Sequence, residues 1–234
     1  MLGLTECEKC RGIGWVPFID EEGVERYKEC ECQEVVKAKM RLEASGISEE
    51  FQKKGFKNFD DRGLAVLKKA KETATAYCRK FPEIMNTRHN SIIFMGQVGS
   101  GKTHLSMAIC NAIMQNYKIG VRYMPYREEV IRLKQNVNDE EDYDSRIKKF
   151  KTAPVLMIDD LLKGKNTEAD VNILFEIINH RYLNNLPMII STEKTIDELV
   201  NFDEGTMSRV IEMARDHLVE IRGREYNYRL RGGK

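Results

Sequence analysis

The run Gly96-Gln97-Val98-Gly99-Ser100-Gly101-Lys102-Thr103 combines residue types that suit a phosphate group. Its glycines let the backbone turn tightly, so that successive N–H groups face one anion. Lys102 would bring an ammonium to the β- and γ-phosphates of ATP, and the Thr103 hydroxyl would ligate Mg²⁺. A second run, Val155-Leu156-Met157-Ile158-Asp159-Asp160, places two carboxylates after four apolar residues. Asp159 suits Mg²⁺, held through water. Asp160 suits a general base that polarises the attacking water, with capping of the following turn as its other use. The short reach of an Asp at that point predicts slow hydrolysis. A third apolar run ends in Ser191-Thr192-Glu193, where Thr192 or Glu193 could orient water at the γ-phosphate or cap a helix.

Cys7, Cys10, Cys30 and Cys32 form two close pairs. Four thiolates satisfy the tetrahedral preference of Zn²⁺. Gly12 and Gly14 free the backbone to wrap a metal. Trp15–Ile19 and Val24–Lys28 read as a hairpin turned by Asp20-Glu21-Glu22-Gly23. A module this small rarely folds without a metal or other staple. The predicted zinc is structural, because protein fills all four positions. Cys78 and Cys110 sit at apolar helix positions and read as small buried hydrophobes.

The pattern of the chain predicts the elements that position these groups. The cysteine-rich segment leads into a helix over Glu34–Ala44 that ends near Ser45-Gly46. Ile47–Asp60 reads as irregular chain carrying Phe51, Phe56 and Phe59. Helices are expected over Leu64–Phe81, Thr103–Tyr117, Tyr126–Gln135, Tyr143–Phe150, Thr167–Asn184, Thr195–Val200 and Gly205–Arg215. Strands are expected over Ser91–Met95, Gly120–Met124, Pro154–Ile158, Pro187–Ser191 and His217–Arg222. Thr195 and Glu198 have the spacing of a capping box. Buried strands separated by helices imply an α/β fold with a central parallel sheet flanked by helices. In such sheets ligands bind at the C-terminal edge of the strands, where the phosphate loop and the two aspartates fall.

These motifs, the lead-in around Phe56–Phe59, Phe175–Tyr182, Met188–Thr192, Ser208-Arg209 and Tyr228-Arg229 resemble the AAA+ ATPases. Among those, they are most similar to the DnaC/DnaI-type (IstB-like) replicative helicase loaders. The resemblance covers most of the chain and implies two parts. Residues 1–45 would be a zinc-ribbon-like, helicase-docking module with a linker helix, and residues 46–234 a P-loop AAA+ ATPase domain. It further implies an ATP-dependent loader of the replicative hexameric DNA helicase onto single-stranded DNA, and an ATP-dependent homo-oligomer. Arg209 matches the arginine that one subunit lends to its neighbour's ATP. Arg229 matches a second sensor arginine within the subunit. Glu193 departs from the family, which often has Asn there, and an acid beside a γ-phosphate would repel it unless turned away or neutralised.

The alternatives are an IstB-like ATPase assisting a transposase and a nucleotide-switched adaptor with little turnover. For the cysteine module the alternative is a DNA-binding ribbon, which Glu21, Glu22, Glu25, Glu29 and Glu31 disfavour. Lys163-Gly164-Lys165, and the cluster Arg146, Lys148, Lys149 and Lys151, are candidate contacts to DNA phosphates or solvated faces. The net charge of +1 gives no global attraction to nucleic acid. No stretch approaches the roughly 18 uninterrupted apolar residues of a membrane span. Six cysteines without a secretory signal point to a reducing compartment, and a cytoplasmic location is expected.

Overall fold

The computed structural model describes residues 7–20, 23–137 and 139–230. Residues 1–6 of the expected N-terminal module, Glu21 and Glu22 of the expected turn, and the last four residues lie outside this description. The chain begins with an antiparallel hairpin, β1 (Trp15–Ile19) and β2 (Glu25–Glu29), in which Trp15 pairs with Glu29 and Ile19 with Glu25. Helix α1 (Cys32–Ser45) follows and stops at Gly46, whose φ of 75° reverses the chain. Ser45 and Ile47 are buried there, so the junction packs against the rest of the molecule.

The segment after Gly46, expected to be irregular, instead forms a short helix α2 (Glu49–Gln52) and a single 3₁₀ turn at Phe56–Asn58. The Ser48 hydroxyl accepts from the Phe51 N–H and caps α2. Asn111 fastens this segment by donating to the carbonyls of Phe51, Gln52 and Lys54.

Five parallel strands form the centre: β3 (Ile92–Gly96), β4 (Val121–Pro125), β5 (Val155–Leu161), β6 (Met188–Thr192) and β7 (Leu218–Ile221). Their order across the sheet is β4-β5-β6-β3-β7. The helices are α3 (Ala65–Ile84), α4 (Lys102–Tyr117), α5 (Tyr126–Gln135), α6 (Glu140–Thr152), α7 (Glu168–Leu183), α8 (Ile196–Phe202) and α9 (Glu204–Met213). Side chains alternate across each strand. Ile92, Phe94, Val155, Met157 and Ile189 join the core under α3 and α4. Ile93, Met95, Leu156, Ile158 and Ile190 join the core under α5, α6, α7 and α9. Burial on both faces explains why the strands read as unbroken apolar runs rather than alternating ones.

Two polar devices fix the frame. Pro82 lies within α3 and has no N–H to offer the carbonyl four residues back. That carbonyl belongs to Cys78, and the Tyr117 hydroxyl donates to it at 2.8 Å. Arg181 on α7 is fully buried, and its guanidinium donates to the carbonyls of Phe150, Lys151, Ala153 and Pro187. It thereby ties the end of α6 to the starts of β5 and β6. Burial pushes its pKa down to about 9.

Candidate functional site

The phosphate loop joins β3 to α4. Gly96, Gly99 and Gly101 have φ values of 140°, 73° and 89°, which side-chain-bearing residues rarely adopt. Space is closed there as well: a Cβ on Gly96 would lie 1.9 Å from the Ile221 carbonyl oxygen. Helix α4 starts without a side-chain cap, so its first N–H groups face the loop. Lys102 is buried, and its Nζ donates to the carbonyls of Gly96 and Gln97, each at 2.8 Å. Burial lowers its pKa, opposed by the nearby carboxylates of Asp160, Glu193 and Asp159.

Because β6 lies between β3 and β5, its end reaches both motifs. The Ser191 hydroxyl donates to Asp159 Oδ1 at 2.5 Å, and Thr103 Oγ1 donates to the same oxygen at 2.9 Å. The Tyr123 hydroxyl on β4 donates to Asp159 Oδ2 at 3.3 Å. Burial raises the Asp159 pKa, with the Ser191 and Thr103 hydrogen bonds opposing the rise and the Asp160 charge adding to it. A buried carboxylate under that pressure is stabilised by a cation, and its partner Thr103 supplies a second hard oxygen, so the donor set fits Mg²⁺.

Strand β5 runs past both aspartates, further than its expected end at Ile158. The register against β6 shifts between Ile158 and Leu161, leaving one extra residue on β5. Asp160 sits in this bulge with φ 56°, and its N–H turns to Ser191 Oγ at 2.9 Å. The bulge delivers the Asp160 side chain to a cleft of about 680 Å³. Val98 to His104, Asp159, Asp160, Glu193 and Arg229 share its lining, as do Phe51 and Phe59 from the lead-in.

The C-terminal segment closes one wall. Tyr228 N–H donates to the Gly99 carbonyl at 2.9 Å, and the Tyr228 hydroxyl donates to the Asp60 carbonyl. The Arg62 guanidinium lies over the Tyr228 ring, 3.8 Å from its centroid. Phe59 meets Tyr228 and His104 edge-on, at 6.3 and 5.3 Å between centroids.

The sequence expectations divide accordingly. Val98 to Thr103 of the phosphate loop, Asp159, Asp160 and Arg229 converge on one cleft, while Gly96 and Gln97 lie outside its lining, the Gln97 side chain bonded to Gly223. Thr192, expected at the nucleotide, is not in its lining: its hydroxyl donates to the Leu161 carbonyl and accepts from the Lys194 N–H. Alternation along β6 turns Ser191, not Thr192, toward Asp159. Arg209 also lies away from the cleft of its own chain, near the rings of Phe175 and Tyr182. Lys163, expected in a basic loop, folds back to bridge Asp160 and Glu193 at 2.7 and 3.1 Å. In the second basic cluster Arg146 pairs with Asp142 and Lys151 with Glu176. Sequence reading missed Ser191 as the Asp159 ligand, Tyr123, and the Lys163 bridge. The hydroxyls lie at the same strand edge as the motifs, which is the one signal that could have raised them.

The four cysteine sulfurs gather within 4.8 Å of one another. Cys7 and Cys30 Sγ are 3.7 Å apart, and Cys10 and Cys32 Sγ 3.5 Å. All four are free thiols. Sulfurs at tetrahedral zinc distances lie about 3.8 Å apart, so the cluster fits Zn²⁺. Positive φ at Arg11, Gly12 and Gly14 wraps the first pair, and Cys30 N–H donates to the Gly14 carbonyl. Trp15, Phe18, Ile19 and Tyr27 on the adjoining hairpin are exposed. Among the described residues, no helix is long and apolar enough to cross a membrane.

A phosphate loop, a buried carboxylate beside its threonine, and a parallel sheet in this order define a P-loop nucleotide-binding domain of the AAA+ type. Residues 52–213 match the family described as the bacterial DnaA ATPase domain, and the chain belongs to that family. The phage-like element PBSX protein XkdC of Bacillus subtilis strain 168 is 37% identical over 97% of this chain and 87% of its own length. The protein YqaM of the same strain is 40% identical over 87% of this chain and 66% of its own length. Among solved structures, the DnaC helicase loader superimposes with a TM-score of 0.66 at 22% identity, covering 74% of this chain and 99% of that one. DnaI gives 0.62 at 19% identity, covering 76% and 94%. These two likenesses establish the shared fold.

Proposed function

We propose that this chain binds ATP with Mg²⁺ and acts as an ATP-dependent loader of a replicative hexameric DNA helicase onto single-stranded DNA. The carrying observation is the convergence of the phosphate loop, Asp159, Asp160 and Arg229 on one cleft. On this reading the N–H groups of Gly96 to Thr103 cradle the phosphates, and Lys102 leaves its loop carbonyls for the β- and γ-oxygens. Thr103 and Asp159 would hold Mg²⁺, which would supply charge neutralisation to the phosphates. Asp160 orients the attacking water and takes its proton. Arg229 reaches the phosphates from within the chain, and Arg209 from a neighbouring copy in an ATP-dependent homo-oligomer.

Residues 1–45 form the docking module on this reading, with Zn²⁺ at Cys7, Cys10, Cys30 and Cys32 holding it together. The exposed Trp15, Phe18 and Tyr27 give it the aromatic anchors that interfaces favour. The similarity to the solved DnaC helicase loader and to DnaI supports the choice of partner.

The test is co-purification of the full chain with the replicative helicase of its source, in ATP and in ADP, beside a Trp15→Ala/Tyr27→Ala variant. Capture by the parent chain and loss in the variant is the expected result. No capture in any nucleotide state would leave an ATPase for another machine.

A further inference from the structure

The sequence leaves a conflict that the cleft resolves. Glu193 and Asp160 both line it, so two carboxylates face the place where a terminal phosphate would sit. A triphosphate there would meet like charge from both. The side chain between them is Lys163. Its Nζ lies 2.7 Å from Asp160 Oδ2 and 3.1 Å from Glu193 Oε1.

The backbone holds Lys163 at that point. Leu162 is buried with φ 61°, and Lys163 N–H donates to the Asp160 carbonyl at 3.0 Å. Asp160 and Leu162 are thus both non-glycine residues in the left-handed region, two positions apart. Such conformations persist where the surrounding structure over-determines them, commonly at functional sites. The hydrogen bond with Asp160 raises the Lys163 pKa against the partial burial that lowers it, so the ammonium stays charged. Lys54, Lys102, Lys163 and Arg229 line the cleft against Glu50, Asp60, Asp159, Asp160 and Glu193, and Lys163 is paired with two of those carboxylates.

We propose that Lys163 is a positioning residue for ATP hydrolysis, a built-in counter-ion that cancels Glu193 against the terminal phosphate and steadies the Asp160 carboxylate. The two tasks are separable. Cancelling Glu193 governs affinity for ATP more than for ADP, because only ATP carries the γ-phosphate. Steadying Asp160 governs the rate of the chemical step. The proposal rests on the reading of the cleft as an ATPase site.

The experiment uses the full chain and compares Lys163→Met, Lys163→Arg and the double variant Lys163→Met/Glu193→Gln. Dissociation constants are read with fluorescent ATP and ADP analogues, and hydrolysis in single turnover with saturating protein. Lys163→Met should weaken ATP by about tenfold and ADP distinctly less, and should slow hydrolysis. The double variant should recover ATP affinity but not rate, and Lys163→Arg should recover most of both. Parent-like hydrolysis and an unchanged ATP-to-ADP ratio in Lys163→Met would overturn the proposal. So would faster hydrolysis, or a double variant that stays weak for ATP. A parent chain that neither binds nor hydrolyses ATP would instead overturn the ATPase reading itself.

Discussion

Asp159 carries a conflict between its own burial and its charge. Its pKa is raised, chiefly by burial, so folding disfavours the charged form relative to the unfolded chain. Above the ordinary value of 3.8 the unfolded chain ionises first, and the native state loses stability as pH rises through that window. Asp159→Asn should therefore raise the melting temperature of the magnesium-free protein at neutral pH. Thermal unfolding in mild acid should show the gain shrinking toward zero. The same variant should lose the magnesium dependence of ATP binding.

Element-scale order depends on carbonyls that regular structure leaves over. Tyr117→Phe would orphan the Cys78 carbonyl opposite Pro82 and cost about 1–2 kcal/mol. Arg181→Met would orphan four carbonyls around α6, β5 and β6 and cost about 3 kcal/mol or more. Urea unfolding at constant m-value measures both. Neither tie was legible in the sequence, because each joins residues far apart in the chain. The strands and most helices were legible, since burial on two faces writes an apolar run and amphipathic packing writes a 3.6-residue period. The phosphate loop and aspartates were legible because their chemistry is contiguous. Helix α2 was missed because its stability comes from the Ser48 cap and its anchoring by Asn111, not from a pattern within its own four residues. Lys163 was read as a DNA contact or a solvated cation because the fold-back at Leu162 requires a positive φ that no glycine announces. Thr192 was placed in the cleft because strand phase at an element's end cannot be fixed without its neighbours.

For the whole molecule, the two parts should separate in their response to metal. Strong chelation, or Cys10→Ser, should release zinc and unfold the β1–β2 hairpin while ATP affinity stays near the parent value. Metal content by native mass spectrometry and nucleotide titration read the two effects independently. Assembly has its own signature. Arg209→Ala should retain ATP binding and lose hydrolysis in the oligomer by about a thousandfold. Mixing it with a Lys102→Ala chain should restore part of the rate, because one chain then supplies the arginine and the other the intact phosphate loop. No recovery on mixing would place Arg209 outside the shared site.

The contact of Asn227, Tyr228 and Arg229 with the phosphate loop also bears on how the protein is made. A ribosome releases the loop, Asp159 and four of the five central strands well before it releases the residues that complete the cleft wall. If the cleft is the ATP site, ATP therefore cannot bind in full and stabilise the growing chain during synthesis. The sheet must hold together on its own apolar contacts until residue 229 emerges and the cleft wall is in place.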